Sequence, residues 1–88
     1  MTQQEVHTAV LGFLRRSILF DESRVIADDE SFLTAGIIDS TGILELISFL
    51  EGEFGVHFKD DELIAHNFDS LRQVSRFVAA KMNGSPEP

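Results

Sequence analysis

Ser40 is the residue whose type and setting best suit chemistry. It follows Gly36-Ile37-Ile38-Asp39 and opens an amphipathic run that continues to Leu50. Gly36 permits a sharp turn or the close approach of another group. Asp39 suits a helix N-cap, because its carboxylate can accept from the free N–H groups of the first turn. Ser40 then stands at the positive end of a helix, where an attached phosphate is favoured. The chemistry that fits is covalent attachment of a phosphate-linked prosthetic group to a serine hydroxyl. The same local pattern also suits a plain capped helix start, since Asx-Ser caps are common.

Other chemistries find less support. Ser, His and Asp all occur, but a nucleophile elbow needs G-x-S-x-G between a strand and a helix, and neither is present. His7, His57 and His66 lack a metal-ligand spacing and read as surface or connector residues. Asp28-Asp29-Glu30 lacks the alternating ligands, central glycine and terminal Glu of a calcium loop. Glu51 and Glu53 do not share a helical face, so they do not form an acid–base pair. The chain has no cysteine, so any thioester chemistry requires a sulfur brought by an added group.

The elements that must position Ser40 are helical. Eighty-eight residues make one small domain with a thin core and no room for a deep catalytic cleft, which points to a module that other proteins act on. Thr2 and Glu5 form a capping box for a first helix, with Val6, Val10, Phe13, Leu14 and Ile18 on one face. Asp21 to Ala35 shows no period and reads as a long loop pinned by Val25, Ile26, Phe32 and Leu33. A second helix runs from about Ser40 to Phe54, buries Ile43, Leu46, Ile47, Leu50 and Phe54, and stops at Gly55. Gly42 and Gly52 each weaken it by about 1 kcal/mol relative to Ala and need tertiary support. A short third helix is expected over about Asp60 to Ala65, with His66-Asn67-Phe68 as a connector. Asp69 is then expected to cap a fourth helix with Leu71, Val74, Phe77 and Val78 inward. The fold class is all-α, a four-helix bundle with a short third helix and a long first loop. Residues 1–83 form the domain and residues 84–88 a flexible tail.

The net charge of -8 disfavours nucleic acid and anionic membrane surfaces and favours basic protein partners. The N-terminus lacks the basic and apolar regions of a secretory signal, and no apolar stretch is long enough to span a bilayer, so a cytoplasmic monomer is expected. At 100° per residue, Thr41, Leu44, Glu45 and Ser48 share the exposed side of the second helix beside Ser40, which makes them the candidate partner surface.

An acidic four-helix domain with an Asp-Ser pair after a long loop resembles an acyl carrier protein. The resemblance spans about Val6 to Lys81. It rests on Phe32-Leu33-x-x-Gly36-Ile37-Ile38-Asp39-Ser40, on Glu45-Leu46 and on Glu51-x-Glu53-Phe54-Gly55-Val56. It implies that Ser40 carries 4′-phosphopantetheine, placed there from coenzyme A by a phosphopantetheinyl transferase, and that the domain is not an enzyme. The family pattern is Asp-Ser-Leu, whereas here Thr41 replaces the leucine. Asp-Ser-Leu occurs instead at Asp69-Ser70-Leu71, where no loop-plus-glycine approach precedes it. The sequence looks closer to specialised freestanding carriers, loaded by adenylating ligases with acyl or aminoacyl groups that a downstream acyl-transfer enzyme then collects, than to carriers of housekeeping fatty-acid synthesis. The alternatives are a helical interaction module without a prosthetic group and a small hydrolase using Ser40.

Overall fold

The computed structural model describes residues 2–83, so the expected tail, 84–88, lies outside them. The described residues form four α-helices and no strand. α1, Gln3–Phe13, opens on the expected capping box: Glu5 N–H donates to Thr2 Oγ1 (3.1 Å) and Thr2 N–H to Glu5 Oε1 (2.9 Å). Val6, Val10 and Leu14 are fully buried. The chain does not leave helical geometry at Phe13. It widens into a π-helical turn, Leu14–Ile18, closed by the Leu19 N–H on the Leu14 carbonyl at 2.8 Å.

The long connection that follows is tied down by backbone as much as by side chains. Phe32 is fully buried, which contributes about 1.5–3 kcal/mol. Its N–H donates to the Asp69 carbonyl at 2.7 Å, and the Ile37 and Ile38 N–H groups both donate to the Phe32 carbonyl. Arg72 N–H reaches the Asp28 carbonyl at 3.0 Å. Two of the four expected anchors, Ile26 and Phe32, are buried, but Val25 is 79% and Leu33 41% exposed. Apolar type alone does not place a loop residue. Here the hydrogen bonds around Phe32 set which side chains turn inward.

α2 spans Ser40–Phe54, as expected, and ends on Gly55 at φ +68°. Leu46 and Leu50 are fully buried, while Ile43, Ile47 and Phe54 are half-buried around them. Phe13 of α1 stacks on Phe49 at 4.4 Å between ring centroids, and Phe54 meets Phe49 edge-on.

The third element differs from expectation. Asp60–Glu62 make only a 3₁₀ turn, Ile64 is extended, and α3 is Ala65–Phe68, through the residues read as a connector. Glu62 is the cause. Its carboxylate accepts from the Lys59 N–H (2.8 Å) and from Lys81 Nζ (2.9 and 3.1 Å), so the acid closes one turn and reaches across to the last helix, α4, Leu71–Met82. The Lys59 N–H first, and then the Lys81 ammonium, hold the Glu62 carboxyl below its ordinary range.

α4, Leu71–Met82, is capped by Ser70 and not by Asp69, because the Gln73 N–H donates to Ser70 Oγ at 3.1 Å. α4 packs on α1 and α3. Phe58, Phe68 and Phe77 form a mutual aromatic cluster with centroids 5.3–5.7 Å apart. Phe20 is outside the core altogether, at 80% exposure.

Candidate functional site

The start of α2 is built from four consecutive constraints. Gly36 turns the chain at φ +72°, in the left-handed region where glycine is favoured. No atom lies within 4 Å of where its Cβ would sit, so the requirement is conformational and not steric. Ile37 and Ile38 then insert into the core, at 4% and 3% exposure. Asp39 adopts extended backbone, and its carboxylate accepts from the Gly42 N–H at 2.7 Å. The Ile43 N–H donates to the Asp39 carbonyl at 3.0 Å, which closes the first turn.

Gly42 belongs to this constrained start of α2, although by helix propensity alone it is only a weak point in the helix. A Cβ there would collide with Ile38 Cγ2. Its absence lets the buried Ile38 side chain lie directly on the first turn, which locks the approach to Asp39 and Ser40. Close approach is a recognised use of glycine, but the partner could not be read from spacing.

Ser40 itself is exposed at the first helical position. Its hydroxyl has no hydrogen-bond partner among the described residues, and the N–H groups at this end of a helix take no intrahelical bond. Thr41, Leu44, Glu45 and Ser48 are all exposed, with Leu44 at 65%. The helix is therefore rotated as its periodicity predicts.

The rival serine sits in the opposite situation. Ser70 is 5% exposed, and its Oγ is engaged by the Gln73 N–H. Asp69 does not cap α4. Its carboxylate turns back to the loop before α2, where Ser31 Oγ donates to Oδ2 (2.5 Å) and the Leu33 N–H to Oδ1 (3.1 Å). The Asp-Ser pair at Asp69-Ser70 is thus a structural joint.

The other polar groups do not gather at Ser40. His7 bonds Asp28 at 2.8 Å, and His57 stands 3.6 Å from Glu51. His66 is exposed on α3. Among the described residues, no three His, Cys, Asp or Glu side chains cluster to hold a metal. A shallow depression of about 290 Å³, lined by Gln3, Gln4, His7, Asp28 and Arg72, includes none of the residues around Ser40.

Residues 5–78 match the family described as phosphopantetheine attachment site. The chain belongs to this family. No curated protein matches the chain. Phosphopantetheine-attachment domains are carriers, not catalysts, and the family attaches 4′-phosphopantetheine covalently. The residues at the start of α2 fit such a group. The exposed Ser40 hydroxyl leaves room for substitution, and the Asp39 cap leaves the N–H groups of Ser40 and Thr41 unclaimed at the positive end of the helix. Among the described residues, no helix is long and apolar enough to cross a membrane.

Proposed function

We propose that Ser40 is the residue that bears 4′-phosphopantetheine in this carrier domain, and that the group is loaded by an adenylating ligase with an acyl or aminoacyl cargo. The observation that carries the assignment is the contrast between two serines that each follow an aspartate. Ser40 is exposed with a free hydroxyl, whereas Ser70 is buried and spent on capping. When bound, the group supplies a thiol on a flexible arm, which this cysteine-free chain lacks. Asp39 holds the first turn through the Gly42 N–H, and Gly36 sets the turn that brings Asp39 there. Among the described residues, no basic side chain bonds the Ser40 hydroxyl, so the base for its proton comes from the phosphopantetheinyl transferase. Intact mass after incubation with coenzyme A and a transferase tests the reading, and an unmodified wild-type chain overturns it in favour of an interaction module.

Partners that handle the arm dock on Thr41, Leu44, Glu45 and Ser48. A single exposed leucine carries little meaning by itself. Leu44 lies one helical turn from Ser40, where any such enzyme approaches, and Glu45 beside it aids encounter with a basic surface. Leu44→Arg and Glu45→Lys lower kcat/KM for the transferase, by about 10-fold for loss of a modest anchor. Both leave the melting temperature within a few degrees of wild type. The Glu45 effect shrinks as salt rises, because the charge is exposed. Unfolding by Leu44→Arg, with normal kinetics per folded molecule, would place the leucine in the core and refute the docking surface.

The cargo is small or polar. The support is the filled interior: Phe13 against Phe49, and Phe58 with Phe68 and Phe77, pack ring to ring. Loading a long fatty acyl group onto the holo-protein therefore leaves its melting temperature nearly unchanged. A large rise would reveal a lipid pocket and remove the claim.

A further inference from the structure

The chain between α1 and α2 holds a feature that the Ser40 site does not use. Phe20 has φ +52° and is 80% exposed. It directly follows Leu19, which ends the π-helical turn, and so occupies the left-handed position just beyond a helix where glycine or asparagine is the usual choice. A bulky residue there is an outlier, and such outliers point from conformation to function. The ring gains little burial in return.

The segment that presents Phe20 is closely hydrogen-bonded. Asp21 N–H donates to the Arg15 carbonyl at 2.9 Å, and Arg15 Nε donates to the Arg24 carbonyl at 2.8 Å. The Asp21 carboxylate takes the Ser23 N–H and hydroxyl. Arg15 thus bonds both the residue after Phe20 and the residue before Val25, which is itself 79% exposed. Three of the seven Lys and Arg residues of this acidic chain, Arg15, Arg16 and Arg24, fall within this stretch, against Asp21 and Glu22. From Arg15 to Val25 the balance is therefore +1, opposite in sign to that of the whole chain, before the acidic Asp28-Asp29-Glu30 that follows. The helix that leads into the stretch meets α2 through Phe13 on Phe49, about 14 Å along α2 from Ser40.

We propose that Phe20 and Val25, flanked by Arg15 and Arg24, form a second docking surface for a protein partner that presents an apolar pocket rimmed by carboxylates. An aromatic ring held on a constrained loop is a suitable anchor, and its charge surroundings select an acidic rim. A partner seated there leaves the Ser40 end of α2 free, so it can retain the carrier while other enzymes work on Ser40.

Two measurements on the full chain test this. Phe20→Asn relieves the left-handed backbone and raises the melting temperature by a few degrees; a fall shows that the ring stabilises the fold and overturns the proposal. Replacing Phe20 with photoreactive p-benzoylphenylalanine and irradiating cells of the source organism gives a crosslink to a protein peptide that contains Asp or Glu. Its yield drops at least 10-fold in the Arg24→Glu background and persists in Leu44→Arg. Equal yield in Arg24→Glu, or a crosslink only to a second copy of this chain or to lipid, overturns the proposal. Loss of yield in Leu44→Arg also overturns it, because the surface is then not separate from the Ser40 face.

Discussion

Ser40→Ala abolishes phosphopantetheinylation, and Ser70→Ala does not. The attachment chemistry needs a solvent-exposed hydroxyl, and Ser40 offers one at the open end of α2 with no competing bond. Its removal deletes the nucleophile while leaving the Asp39 cap on Gly42 in place, so helical circular dichroism is retained. Ser70 is 5% exposed and caps α4 through the Gln73 N–H. Ser70→Ala therefore costs about 0.5–2 kcal/mol of stability, as loss of a cap does. In a domain of this size that corresponds to a drop in Tm of roughly 4–15 °C. Intact mass after incubation with coenzyme A and transferase, read together with thermal melts, separates the two roles. A normal mass gain in Ser40→Ala would end the assignment.

Asp69→Ala destabilises the domain by about 2–4 kcal/mol, since hydrogen bonds to a charged group contribute about 1.5–3 kcal/mol each and are not fully additive. The substitution leaves the Ser31 hydroxyl and the Leu33 N–H without their acceptor, on either side of the fully buried Phe32. It thereby loosens the joint between the long loop and the start of α4. The fall in Tm is about 10–25 °C on the scale for small domains. Asp39→Ala, which removes a single part-buried cap bond, costs only about 0.5–2 kcal/mol. Chemical or thermal denaturation of the two variants side by side checks the ranking. If Asp69→Ala melts within a couple of degrees of wild type, the loop is held by packing alone and the joint has been misread.

The two Asp-Ser pairs thus exchange their apparent meanings between sequence and structure. The pair that matches the family's Asp-Ser-Leu letters is a structural joint with a buried serine, and the pair that departs from them presents the free hydroxyl.

The sequence by itself determined what depends on neighbours within a turn or so. The bounds of α2 follow from Asp39 and Gly55, and the start of α1 from Thr2 and Glu5, because caps are contacts between residues three or four apart. The exposed side of α2, with Leu44 on it, follows from helical period alone. The tertiary structure decided everything that rests on distant partners. Asp69 and Ser70 are equally good caps in sequence, and the choice fell to Ser70 because Ser31 and Leu33, more than thirty residues earlier, claim the Asp69 carboxylate. Glu62 reaches Lys81 on α4, Asp60–Glu62 stay a single 3₁₀ turn, and the third helix begins only at Ala65. Gly42 became a point of close contact only once Ile38 folded onto it. Val25, Leu33 and Phe20 stayed outside, because an apolar loop residue is buried only where the backbone can also find its hydrogen bonds, and in this loop those bonds gather around Phe32.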